Sequence, residues 1–347
     1  MTDSRAGVHT EAEIAEQPAV FDRLLAARAE TAQIAAAIAR RRPRFVLLAA
    51  RGSSDHAALY AKYLTEVLLE LPAGLVSPST TTLYGARPDL SDVLLITVSQ
   101  SGGSPDLVEV TERARAQGAL TVAVTNTMNS DLTGAAELAV DIQAGREVAV
   151  AATKTYTATL LSLYLLLDAV RGGSAEHALG LGEVAATALA KAKDPVTEAV
   201  QRWRFVDRVV TTGRGFSSAT AAEAALKLAE TSYLSARSYS GADLLHGPVA
   251  AVDEETAVLA IAGEGAGGRA TSAVLDVVGS RGADVVAVGS AAHTLTASVQ
   301  VGVPVTAEEV APIIEVLPVQ QLALGLSVAR GFDPDRPRGL NKVTKTR

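Results

Sequence analysis

Short apolar runs alternate with longer stretches of helical periodicity along most of the chain, and that alternation predicts its fold. Residues 44–50, 74–77, 93–98, 120–125 and 138–142 read as strands, with helices between most of them. Residues 153–170 form a strongly apolar helix that ends at Arg171-Gly172-Gly173. At the front, residues 11–42 are rich in Ala and Leu with helical spacing. Pro18 is expected to separate a short lead-in there from a long helix beginning near Val20. Strands and helices in this order predict an α/β protein with a parallel, doubly wound sheet.

The pattern then restarts. Residues 175–203 are mostly helical, 205–212 read as a strand, and Gly213-Arg214-Gly215-Phe216-Ser217-Ser218 opens a helix to about residue 234. Phe45-Val46-Leu47-Leu48-Ala49-Ala50-Arg51-Gly52-Ser53-Ser54 has the same design as Val209 through Ser218. Residues 257–262 and 284–288 correspond to 93–98 and 120–125, and a helix over 308–329 closes the second unit. The expectation is two tandem flavodoxin-like domains related by duplication. Their bounds are a helical lead-in at 1–29, a first domain at 30–172, a second at 173–330 and a tail at 331–347.

Composition narrows the chemistry. The chain has 347 residues, no cysteine and a formal net charge of −7. Disulfides, thiolate nucleophiles and cysteine-based metal sites are thereby excluded, and a broad nucleic-acid surface is not expected. No charge-free run of 18 or more apolar residues appears, so no membrane partner is expected, and the first five residues lead into a polar helix. A cytoplasmic enzyme or binding protein is the expected class. His9, His56, His177 and His293 have no metal-ligand spacing, and neither a metal nor another cofactor is expected.

The most telling segment is Asp92 to Asp106, a buried strand followed by Ser99-Gln100-Ser101-Gly102-Gly103-Ser104 and a helix from Pro105. Serine hydroxyls, the Gln100 amide, glycine-freed backbone N–H groups and a helix N-terminus can converge on a phosphate. No Lys, Arg or Walker-type sequence is present, which favours a monophosphate on a small molecule over a nucleoside triphosphate. Ser53 and Ser54 lie at a second strand-to-helix turn, expected to open onto the same crevice. Thr153 starts the apolar helix and reads either as a third contact or as a plain N-cap. The second copy has Gly263-Glu264-Gly265-Ala266-Gly267 in place of the serine loop, so one phosphorylated ligand per chain is expected.

Glu223, Lys227 and Glu230 share one face of a helix by their spacing of four and three. A solvated ion-pair ladder is the plain reading, but the rest of that helix is apolar. His246 lies in Asp243-Leu244-Leu245-His246-Gly247-Pro248, a loop where it reads as an acid/base group or as a structural histidine. The tail from Arg330 reads as a basic extension anchored by Phe332, Leu340 and Val343.

Taken together these motifs resemble the sugar-isomerase (SIS) superfamily in its two-domain form. The resemblance is carried by Arg51 to Ala57, Ser99 to Gly102, Val150 to Lys154, Glu223 to Lys227, His246-Gly247-Pro248 and Arg336 through Thr344. The chain is similar to type II glucosamine-6-phosphate deaminases, their galactosamine relatives, and the isomerase half of glucosamine-6-phosphate synthase. That resemblance implies phosphate and hydroxyl contacts at Ser54, Ser99, Gln100, Ser101 and Ser104, beside Ser53 from its turn, and a sugar wall at Val150, Ala152 and Thr153. It implies Glu230 as the base moving a proton between C1 and C2, with Lys227 one turn before it. The resemblance also implies that His246 opens the sugar ring from a neighbouring subunit and that Lys342 contacts the open-chain sugar. A homodimer with shared sites follows from that role of His246. Ala152 stands where the synthase has serine and Gly103 where it has a larger residue, which bears on substrate preference.

The expected function is deamination of an aminosugar 6-phosphate to fructose 6-phosphate and ammonia. Thr2 and the lack of cysteine imply no glutaminase chemistry of the N-terminal-cysteine kind. The alternatives are an ammonia-dependent synthase-like isomerase, a fructosamine-6-phosphate deglycase and a non-catalytic sugar-phosphate sensor.

Overall fold

The computed structural model describes residues 5–342, which form two compact units. Val343 and Thr344 of the tail motif lie outside the described residues. Two helices open the chain, α1 (Val8–Ala26) and α2 (Arg28–Arg41). Pro18 lies inside α1 and does not interrupt it, contrary to the expectation from sequence. A proline lacks the N–H that would bond the carbonyl four residues back, here that of Ile14. The Gln17 side-chain amide donates to that carbonyl at 3.0 Å and so replaces the missing partner. The helix breaks at Ala27 instead.

The first unit is built on β1 (Phe45–Ala49), α3 (Ser53–Leu68), β2 (Ala73–Leu75), α4 (Pro78–Thr82) and β3 (Val93–Val98). It continues through α5 (Pro105–Ala116), β4 (Leu120–Thr125), α6 (Asp131–Ala135), β5 (Leu138–Asp141) and α7 (Lys154–Val170). All strands are parallel in the order β2-β1-β3-β4-β5. The strand order reverses between β1 and β3, where the turns after both strands lie side by side. The central strands β3 and β4 are buried nearly throughout, which is why they read as continuous apolar runs. In α7 every residue from Lys154 to Asp168 is buried, as befits a helix apolar on all sides.

The second unit repeats the plan with α8 (Leu181–Trp203), β6 (Arg208–Gly213), α9 (Ser217–Ser232), β7 (Ser235–Ser240) and α10 (Gly241–Leu245). It then runs through β8 (Thr256–Ile261), α11 (Ala266–Ser280), β9 (Asp284–Gly289), β10 (Val299–Gly302) and α12 (Ala311–Ala329). Its sheet has the order β10-β9-β8-β6-β7, the first order with each strand replaced by its counterpart. Its core gathers Trp203, Leu228, Leu259, Ile261, Val286 and Leu326. The helix α12 is long and apolar enough to cross a membrane by length and composition, yet 78% of its apolar window is buried within the protein. It is the core helix of its unit, and its buried Glu315 and Gln320 are both hydrogen-bonded.

Candidate functional site

In the first unit the Ser53–Ser54 turn follows β1 and the serine loop follows β3, at the point where the strand order reverses. Ser99 is buried, while Ser53, Ser54, Gln100, Ser101 and Ser104 are half-buried, so their hydroxyl and amide groups are within reach of a small ligand. Backbone bonds shape the loop: the Asn126 N–H donates to the Gln100 carbonyl and the Leu132 N–H to the Gly102 carbonyl, at 3.1 and 3.0 Å. Gly102 has φ +63°, and a Cβ there would lie 2.1 Å from the Ser130 hydroxyl, so only glycine fits. Ser104 is the N-cap of α5 with no side-chain cap bond, and Pro105 occupies the first helical turn. The helix thus presents its N-terminal dipole to the loop.

An ion pair that spacing alone did not mark ties the two turns together. The Arg51 guanidinium bonds the Asp106 carboxylate through Nε at 2.9 Å and through Nη2 at 2.8 Å. Asp106 is almost wholly buried in the first turn of α5, and its other oxygen accepts the Leu107 N–H at 2.9 Å. A charge-assisted, forked contact of this kind fixes the separation of the turns as well as their charge.

The tail lysine has a partner in the same unit. Lys342 Nζ lies 2.5 Å from Glu147 Oε2, and that oxygen also accepts the Thr155 hydroxyl at 2.7 Å. The other carboxylate oxygen accepts the Thr155 N–H at 3.0 Å. Burial pushes the Glu147 carboxyl upward, but the Lys342 charge and the Thr155 bonds outweigh it and hold the group below its ordinary value. Glu147 therefore stays ionised and localises the Lys342 side chain at its carboxylate.

In the second unit α9 holds Glu223, Lys227 and Glu230. Glu223 and Lys227 are buried and Glu230 is partly exposed, so the plain reading of a wet ladder is excluded. Lys227 Nζ lies 2.6 Å from Glu230 Oε2 and 3.5 Å from Glu223 Oε1. One cation thus lies between two carboxylates, of which Glu230 is the more exposed.

The segment Val148–Thr153, with Val150, Ala152 and Thr153, is held by two residues not singled out from sequence. Glu13 on α1, itself buried, accepts the N–H groups of Val148 and Ala149. Gln320 on α12 donates to the Thr153 carbonyl at 3.2 Å and accepts from Gln17 at 2.8 Å. Thr153 itself is buried, whereas Val150 and Ala152 are half-buried. His246 is exposed at the C-cap of α10, and no ion pair joins it to Glu230 among the described residues.

The counterpart of the serine loop in the second unit is filled from within. The N–H groups of Ala266 and Gly267, at the start of α11, donate to the Glu308 carboxylate at 3.1 and 2.7 Å. Glu264, the residue expected from sequence to repel phosphate, is exposed, and its N–H donates to the Ser290 hydroxyl instead. Below this loop Glu315 is fully buried, accepting from Ser217 at 3.0 Å and Thr220 at 3.4 Å. Burial raises its carboxyl to about 7 against those two bonds, and the nearby Glu308 charge adds to the rise.

Two flavodoxin-like sheets, the first with a hydroxyl-lined loop at its switch point, define a tandem doubly wound α/β protein. The SIS domain model matches residues 41–169 and 205–330, one match on each sheet, and the chain belongs to that family. A glutamine–fructose-6-phosphate aminotransferase (isomerizing) from Thermus thermophilus is 34% identical over 351 aligned positions, covering 95% of this chain and 57% of the relative. The chain thus spans little more than half the length of that curated relative. A solved structure from Silicibacter pomeroyi, described as a phosphosugar isomerase, is 36% identical with a TM-score of 0.87, covering 94% of this chain and 99% of that one. The glucosamine-6-phosphate deaminase structure from Thermotoga maritima has a TM-score of 0.80 at 23% identity, covering 97% and 100%. At that identity the likeness is one of fold.

Proposed function

We propose that the chain is a sugar-phosphate isomerase that deaminates an aminosugar 6-phosphate, giving fructose 6-phosphate and ammonia. The observation that carries this reading is the buried Lys227 cation held 2.6 Å from the half-exposed Glu230 carboxylate. A C1–C2 proton shift needs such a pair. The serine loop takes the phosphate, remote from the reacting carbons, and its binding energy serves to orient them. His246, exposed on its turn, assists ring opening, in this reading from a second copy of the chain.

In the open-chain aldehyde Glu230 removes the C2 proton and the electron pair moves toward the C1 oxygen, giving an enaminol. Lys227 stabilises the charge that develops on that oxygen. Glu230 then returns the proton to C1, leaving a ketimine at C2. Water adds to the ketimine carbon and ammonia leaves, so that sugar, water and proton balance. Lys342 supplies a further cation to the open-chain sugar. The kinship with isomerizing aminotransferases supports a second reading, the same steps run in reverse to aminate fructose 6-phosphate with free ammonia.

The test is a coupled assay of ammonia and ketose phosphate from glucosamine, galactosamine and fructosamine 6-phosphates, with ammonia plus fructose 6-phosphate as the reverse arm. Release of both products from an aminosugar phosphate, lost in Glu230→Gln, is the expected result. Turnover of none of these, or full activity in Glu230→Gln, would overturn the reading.

A further inference from the structure

The chain beyond α12 is pinned at two places before it reaches Lys342. Asp335, a buried residue, accepts the N–H groups of His9 and Thr10 at 2.9 and 2.8 Å and the Thr10 hydroxyl at 2.7 Å. Asp333 accepts the Gly7 N–H at 3.0 Å. These donors belong to the first turn of α1 and the residue before it, whose N–H groups have no partner within the helix. Gly7 allows the close approach: with φ +77°, its absent Cβ would lie 3.1 Å from the Pro334 ring and 2.5 Å from Leu324.

The second anchor is Arg338. Its guanidinium carbon lies 3.9 Å from the centre of the Tyr233 ring, and its backbone N–H donates to the Tyr233 hydroxyl at 2.7 Å. Phe332 meets the same ring edge-on at 4.7 Å between centroids. Tyr233 is the C-cap of α9, the helix that carries Lys227 and Glu230. The strap is therefore fastened to the first turn of α1 and to the end of the helix with the candidate base.

We infer that Asp335 and Arg338 are positioning residues that fasten the strap and so confine Lys342 for its part in turnover. This rests on the reading of Lys342 as a group that acts on the open-chain sugar. From Arg338 only four steps along the chain lead to Lys342, whereas from the end of α12 at Ala329 there are thirteen. The local concentration of a tethered group falls as about the −3/2 power of tether length, so releasing both anchors lowers that of Lys342 about sixfold.

The experiment compares Asp333→Ala/Asp335→Ala/Arg338→Ala, which also removes the Asp333 contact to Gly7, with Lys342→Ala in the full chain, using glucosamine 6-phosphate turnover and, separately, competition by inorganic phosphate. The strap variant is expected to lose about sixfold or more in kcat/KM, with phosphate inhibition unchanged. Adding its substitutions to Lys342→Ala is expected to bring no further loss. A nine-residue Gly/Ser insertion between Arg338 and Gly339 leaves both anchors intact and gives the same thirteen-step tether, so it carries the test if the triple variant folds poorly. A loss below about threefold, or losses that multiply with Lys342→Ala, overturns the positioning role while leaving Lys342 in place. Full activity in Lys342→Ala itself overturns the role of the lysine, and the positioning role falls with it.

Discussion

Glu315→Gln isolates a strongly perturbed, fully buried acid. Glu315 is wholly buried on α12, and its carboxyl is raised from 4.5 to about 7 by burial, with the Glu308 charge adding to the rise. An acid with a raised folded value binds its proton more tightly when folded than when unfolded. Stability from this group is therefore fully present below pH 4.5 and declines as pH rises to about 7, beyond which it is flat. At about 1.4 kcal/mol per tenfold, the decline is about 3 kcal/mol. Glutamine keeps the shape and an oxygen acceptor for one of the two hydroxyls, with its NH2 group facing the other, but does not ionise. Guanidinium unfolding of both proteins at half-unit steps from pH 4.5 to 8.5 gives the difference directly. The variant is expected to gain about 3 kcal/mol relative to the native chain across that interval, with the change complete by about pH 8. A difference independent of pH, or one that falls as pH rises, would refute the assignment of Glu315 as a buried neutral acid.

Other consequences follow from single contacts. Asp106→Asn removes the charge that holds Arg51, and the loosened turns are expected to raise KM for a sugar phosphate about tenfold with little change in kcat, read by steady-state kinetics. Gly102→Ala forces a Cβ against Ser130, so its KM is expected to rise as well, and unchanged phosphate inhibition would count against the loop as the anion site. Glu147→Gln removes the buried charge that faces the partly exposed Lys342, an expected loss on the order of 1 kcal/mol by chemical denaturation. Because the Glu147 carboxyl is held low, that contribution is present above pH 4.5 and is lost as pH falls through the lower folded value. Calorimetric titration with fructose 6-phosphate is expected to give one site per chain, since Glu308 fills the second loop.

Much of the architecture could be read directly from residue pattern. The strands β3 and β4 fall where their apolar runs place them, because strands buried on both faces leave an uninterrupted signal. β7 and β10 escaped notice for the converse reason. Both are edge strands, and Ser235–Ser240 carries three serines and an arginine, with only Ala236 and Tyr239 to pack on the core, so no apolar run marks it. Pro18 misled because the remedy for its missing N–H is a side chain, Gln17, that has no marked spacing. The serine loop and the Lys227–Glu230 pair were legible because each lies within a few residues of sequence. Arg51–Asp106, Glu147–Lys342, Glu13 with Val148, and Glu308 in the second loop join distant segments, and only tertiary folding brings them together.

The most direct test of the proposed chemistry is proton exchange at C2 of glucosamine 6-phosphate in deuterated water, followed by proton magnetic resonance. The native chain is expected to wash the C2 proton into solvent during turnover, and Glu230→Gln to slow that exchange by about a hundredfold or more. Exchange at the native rate in Glu230→Gln would contradict the account, since the proton would then be moving without the carboxylate assigned to carry it.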